Sequence, residues 1–171
     1  MGLLDFSDNE IVYLDTAPII YYVENVLPYA DLLEPIFQRI KSGTLRACTA
    51  TLTLAETLVV PLRKKNETLF EKFETFLTKT PDLTILPLTE EIAMETAKIR
   101  AEFSFKTPDA IQLATARTNG VDCFLTNDKE LKTFSPLRIV LLDDWITART
   151  AAAAMPRDEC RCSTDSLNDH N

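Results

Sequence analysis

The chain has 171 residues, 46% of them hydrophobic and 26% charged, with a formal net charge of −8. That suffices for one domain with a sizeable core, and it excludes both a disordered chain and a membrane-spanning one, since no apolar run approaches the ~18 residues a spanning helix needs. Net negative charge also excludes nonspecific electrostatic binding to nucleic acid, though not acting on nucleic acid through bound divalent cations, which draw phosphate themselves.

Three residue types narrow the chemistry further. The only histidine is His170, the penultimate residue, so no imidazole base serves the folded part and only carboxylates, lysines and metal ions remain. Three glycines, with Gly43 and Gly120 placed where helices should end, leave no nucleotide-binding glycine loop. Of the four cysteines, Cys48 and Cys123 lie in expected strands and read as core thiols, while Cys160 and Cys162 sit in a polar tail without a second zinc-spaced pair. The first ten residues carry Asp5, Asp8 and Glu10 instead of a basic signal region, so a cytoplasmic location is expected.

In chain order, residues 1–10 read as a loose leader. Ile11-Val12-Tyr13-Leu14 is a short buried strand that stops at Asp15, and Ala17-Pro18 starts a helix ending near Asn25. Leu32, Leu33, Ile36, Phe37 and Ile40 recur at helical spacing from Tyr29 to Ser42, with Pro35 as a possible kink. Arg46 to Ala50 is a second strand feeding a helix from Leu52 to Lys65, with Pro61 as a bend. From Asn66 onward Leu69, Phe70, Phe73, Phe76 and Leu77 form an aromatic stripe, suited to core packing or to an exposed dimer surface.

Leu83 to Leu88 is a third strand, and Thr89 caps a helix with Glu90 and Glu91 at its positive end and Lys98 and Arg100 at its negative end. Thr107-Pro108 opens the next helix and Gly120 closes it. Cys123 to Thr126, a short helix near Lys129 and a strand from Ile139 to Leu142 follow. Alternating strands and helices predict a mostly parallel sheet of about five strands covered on both faces, an α/β/α domain spanning residues 11–149. Residues 150–171, four alanines followed by a polar run, are expected to stay unstructured.

Four carboxylates stand out. Asp15 ends the first strand, where open α/β sheets place their ligands, although it could simply cap the helix that follows. Glu56 is the sole charge between Ala47 and Leu62 and lies on the expected buried side of its helix, so a cationic partner, metal or basic side chain, is anticipated. Asp109 sits in the first turn of its helix, where dipole complementarity alone could explain it. Asp128 closes Leu125-Thr126-Asn127-Asp128 at the end of another strand. Strand ends of a parallel sheet share one edge, so these acids can meet. Together they would repel one another unless Mg²⁺ or Mn²⁺ compensates, and an all-oxygen donor set favours those ions over zinc. Such a site suits phosphodiester hydrolysis, in which metal ions activate water and stabilise the leaving oxygen.

Ile11 to Thr16, Leu54-Ala55-Glu56, Lys106-Thr107-Pro108-Asp109-Ala110 and Leu125 to Asp128, in that order, resemble the PIN-domain ribonucleases, in particular the VapC-type toxins of toxin-antitoxin pairs. The resemblance covers about residues 10 to 145. It implies that Asp15, Glu56, Asp109 and Asp128 bind Mg²⁺ or Mn²⁺ and cleave RNA. It also implies that the Thr16 and Thr126 hydroxyls support the acidic site, that the protein forms a homodimer, and that a small antitoxin inhibits it. The helical pair from Leu52 to Thr78 resembles the arm such toxins use for protein contacts. The acidic composition departs from an easy grip on RNA; Arg100 and Lys106, and the run Arg63-Lys64-Lys65, are the candidates for phosphate contact. The competing readings are a non-catalytic PIN-like interaction module and aspartyl-phosphate transfer at Asp15. The latter lacks an acid two positions on, where Ala17 stands.

Overall fold

A computed structural model describes residues 6–7 and 10–154, with side chains through residue 148. The elements run β1 (Ile11–Leu14), α1 (Thr16–Val23), α2 (Tyr29–Lys41), β2 (Arg46–Ala50), α3 (Thr51–Arg63), α4 (Glu67–Lys79) and β3 (Leu83–Leu86). They continue with α5 (Glu90–Phe103), α6 (Thr107–Thr118), β4 (Cys123–Thr126), a 3-10 turn (Lys129–Thr133), β5 (Arg138–Leu141) and α7 (Leu142–Ala154). The five strands form one parallel sheet in the order β3-β2-β1-β4-β5.

Strand alternation splits the core in two. Val12 and Leu14 of β1 with Cys123 and Leu125 of β4 face a cluster built with α1, α2, α4 and α7. Tyr13 and Phe124, whose rings stack at 4.9 Å, face a second cluster built with α5 and α6. Both faces of β1 are therefore buried, which explains why its sequence is an apolar run without polar alternation. The phenylalanine stripe of α4 packs inward, with Phe73 and Leu77 buried and Phe76 against Tyr22 and Phe37.

Helix boundaries follow local chemistry. Asn66 Oδ1 accepts from the Leu69 N–H, and Thr89 Oγ1 from that of Ile92, so both helices open on side-chain caps. Gly43 and Gly120 follow α2 and α6 at φ +74 and +63, the left-handed region that ends a helix cheaply at glycine. α2 and α3 continue through Pro35 and Pro61 without being divided. Cys48 and Cys123 are buried and unpaired, and burial pushes their thiols up to about 12 and about 11.

The structure departs from the sequence reading at both ends. Phe6, expected in a loose leader, is only 5% exposed and packs on Trp145, while Arg39 donates to its carbonyl at 2.9 Å. Leu142 opens α7 instead of ending β5, and this helix runs on to Ala154, five residues into the expected tail. The reason is spacing: Leu142 and Trp145 are three apart and both buried, so they anchor the helix to the core whatever follows. The third strand stops at Leu86, short of Leu88. Cys160, Cys162 and His170 lie outside the described residues. No helix among the described residues is long and apolar enough to cross a membrane.

Candidate active site

Strand order reverses between β1 and β4: successive strands extend one way from β1 to β3 and the other way from β4 to β5. The C-terminal ends of the two central strands therefore flank a crevice at the switch point. Asp15 follows β1 and Asp128 lies two residues beyond β4, and the Asp15 N–H donating to the Leu125 carbonyl at 3.0 Å ties those ends together. Glu56 arrives from the second turn of α3, directly after β2, and Asp109 from the first turn of α6. All four acids are half-buried.

Asp15 takes the N-cap position of α1, its Oδ1 accepting from the Thr16 N–H at 2.7 Å, while Oδ2 accepts from the Thr126 hydroxyl at 2.6 Å. Capping and membership of the acidic edge coexist in this residue. Burial pushes its carboxyl up to about 6, against the pull of the Thr126 and Thr16 hydrogen bonds, and repulsion from Glu56 and Asp109 adds to the rise. Thr126 has a second task, accepting from the Asp128 N–H at 3.0 Å, and Asp128 in turn caps the 3-10 turn by accepting from the Glu130 N–H. Glu56 Oε2 accepts from the Thr16 hydroxyl.

Asp109 makes no side-chain hydrogen bond among the described residues. Its carboxyl is also raised, first by burial, then by Asp128, and further by Glu56 and Glu130, with Lys106 opposing. The four predicted acids thus share one electrostatic neighbourhood, with Lys106 at its rim. Arg100, exposed in the last turn of α5, and the exposed Arg63, Lys64 and Lys65 make no hydrogen bond or ion pair with the four acids. None of the ion pairs among the described residues involves those acids either. Of the two partners anticipated for Glu56, a basic side chain is not found among the described residues; a hydroxyl and an amide donor face its carboxylate.

Whether the residues suit a divalent cation can be judged from their chemistry. The donors are carboxylate oxygens without imidazole or thiolate, and their repulsion is what a hard cation relieves. In this side-chain arrangement no three acids among the described residues close around one point as a ready-made metal cluster. Asp15 and Glu56 instead spend oxygens on Thr126 and Thr16. By its chemistry, the donor set fits Mg²⁺ or Mn²⁺.

Sequence reasoning did not find the buried polar layer beneath the acids. Gln112 of α6, 2% exposed, accepts from the Tyr13 hydroxyl and faces Thr16, Thr53 and Glu56. Its signal was available: it lies three residues after Asp109 on the same helix face and is a lone amide among Ile111, Leu113 and Ala114. Glu130, which raises Asp109, was likewise missed.

A sequence model of the PIN domain matches residues 12–135. No curated protein matches the chain. Among solved structures, a chain of the DNA-bound VapBC2 complex from Rickettsia felis superposes with a TM-score of 0.61 at 19% identity, covering 77% of this chain and 98% of that one. A chain of VapBC-1 from nontypeable Haemophilus influenzae gives 0.60 at 21% identity, covering 77% and 97%. A chain of the DNA-bound VapBC of Salmonella typhimurium gives 0.59 at 21%, also covering 77% and 97%. These likenesses are of fold, and the sequence match extends over every strand but β5 and over all four acids. This chain belongs to the PIN domain family.

Proposed function

We propose that the protein is a Mg²⁺- or Mn²⁺-dependent endoribonuclease acting in the cytoplasm, the toxin of a toxin-antitoxin pair. The observation that carries this reading is the gathering of Asp15, Glu56, Asp109 and Asp128 from four separate segments at the switch point of the sheet, with no basic side chain paired to any of them among the described residues. A fold that buries carboxylates and withholds a counter-ion leaves them for an ion from solution. In this proposal the four acids hold the metal. When bound, such an ion supplies activation of water and stabilisation of the leaving oxygen.

The chain's own residues then do the positioning. Thr126 fixes Asp15 and Thr16 fixes Glu56, so neither acid has to find its rotamer as substrate arrives. Lys106, exposed at the start of α6 beside Asp109, meets an incoming phosphate, and Arg100, exposed in the last turn of α5, is the second candidate for such a contact. The toxin assignment draws support from the fold shared with chains of VapBC complexes. A hollow of about 820 Å³ between α1, α2 and α4, lined by Tyr22, Lys41, Lys72 and Phe76 among others, offers an antitoxin segment both apolar and charged contacts. Exposed Val59, Val60 and Leu62 on α3 suit the apolar contact of a homodimer.

One observation favours the other reading, a non-catalytic interaction module: the acids are not grouped as a metal cluster in this arrangement. The deciding experiment is cleavage of structured RNA by the purified chain with Mg²⁺ or Mn²⁺, with and without EDTA, beside a calorimetric Mn²⁺ titration. Metal-dependent cutting that Asp109→Asn abolishes is expected. Neither binding nor cleavage at millimolar metal would establish the module instead.

A further inference from the structure

Beneath the acidic edge, the buried hydrogen bonds run in one direction. Thr49 has a single hydroxyl proton and donates it to the Leu14 carbonyl at 2.8 Å, so in its 2.8 Å contact with Thr53 it must accept. Thr53 is therefore the donor there, and its oxygen is free to accept from Gln112 Nε2 at 3.1 Å. The Thr16 hydroxyl donates to Glu56 Oε2 and is left to accept from the same amide nitrogen at 3.2 Å. Glu56 Oε2 itself lies 3.4 Å from Nε2. At the other end of the amide, Oε1 accepts from the Tyr13 hydroxyl. Turning the amide over would set its oxygen against a carboxylate oxygen, so the network permits only this orientation.

From this we infer that Gln112 is a positioning residue: clamped by Tyr13 from below, it holds Thr16 and Glu56 in the place from which Glu56 reaches the metal. The inference rests on the proposed metal-dependent site. Three properties set Gln112 apart from a glutamine that merely packs. It is buried to 2% exposure where glutamine rarely goes, its two amide protons point at three acceptors, and one acceptor is a carboxylate with which no basic side chain among the described residues pairs. A donor that orients a metal-binding carboxylate is worth roughly ten- to a hundredfold in metal affinity.

Two measurements test it. In the metal-free wild-type chain, the Gln112 side-chain amide protons should exchange with water at least ~100-fold more slowly than those of Gln38, an exposed glutamine of α2, and their resonances should move in Glu56→Gln. Exchange as fast as at Gln38, or resonances indifferent to Glu56→Gln, overturns the inference. The second measurement is Mn²⁺ affinity by calorimetry in Tyr13→Phe/Gln112→Leu, which removes both partners of the buried bond so that neither is left stranded. A loss of about tenfold or more is expected there, against less than about threefold in Tyr13→Phe alone, which keeps the amide donors. Wild-type affinity in the double variant, or equal losses in both, overturns it. Should the wild-type chain bind no Mn²⁺ and cut no RNA, the proposed function fails, and amide exchange alone then decides the link between Gln112 and Glu56.

Discussion

Two half-buried glutamates show two ways of keeping a carboxylate in a fold. Glu95, on α5, has a side chain 16% exposed and is met by cations: Arg117 of α6 at 2.9 Å from Oε1 and Lys98 at 3.3 Å from Oε2. The Arg117 contact is one of charge, since Oε1 finds no aligned hydrogen-bond donor. Among the described residues, Glu56, on α3, meets a hydroxyl and an amide, and Asp15 beside it a hydroxyl and a backbone N–H. Glu95 is neutralised inside the molecule and staples two helices. At the switch point no such neutralisation occurs among the described residues, and the raised carboxyls of Asp15 and Asp109 record its cost to the fold.

The contrast can be pushed hardest at the acids themselves. Asp15→Asn or Asp109→Asn is expected to lower RNA cleavage by at least ~1000-fold, whereas Glu95→Gln leaves it unchanged. Full cleavage in either aspartate variant would put the switch-point acids on the same footing as Glu95. The next effect is on stability. With its carboxyl at about 6 instead of the ordinary 3.8, Asp15 keeps a proton in the folded chain that the unfolded chain has released. That contribution is complete below about pH 4 and is lost as pH rises through 6. Without divalent ions, Asp15→Asn should therefore be more stable than wild type at pH 7, by on the order of 1–3 kcal/mol, and equal to it at pH 3.5. Urea melts at the two pH values measure this, and a gain of the same size at both would refute the assignment.

Smaller effects sharpen the picture. Thr126→Val removes a donor to Asp15 and an acceptor for the Asp128 N–H, and should cost about 1–2 kcal/mol while raising the Asp15 carboxyl further, read by NMR titration. Arg117→Ala should cost at most ~1 kcal/mol, because its guanidinium is largely exposed and solvent screens the pair. Added salt should shrink that difference, and a cost several times larger would mean that the Glu95 pair is buried in effect.

Much of this was legible from residue order. Five short apolar runs alternating with helical patterns specify a parallel sheet, and a buried parallel strand has no polar face to disguise it, which is why β1 and β4 could be read directly. Asp15 and Asp128 were legible for the same reason, as carboxylates that end such runs. Glu56 showed itself as the lone charge in an apolar helix. Phe6 and α7 were not legible: one aromatic residue in a polar leader, and Leu142, Trp145 and Ile146 ahead of an alanine run, make too short a pattern. They are ordered by each other, through the contact of Phe6 with Trp145.

What the sequence determined by itself was the alternation of elements, and with it a common edge at which strand-end acids must emerge. Which acids face one another there, and what stands beneath them, was decided only in three dimensions. Tyr13, Gln112, Thr53 and Glu56 lie on β1, α6 and α3, and their hydrogen bonds span up to 99 positions of chain. A local pattern carries no information about a partner that distant; packing of α3 and α6 beside the same strand end creates the contact, and with it the one orientation in which each donor finds an acceptor.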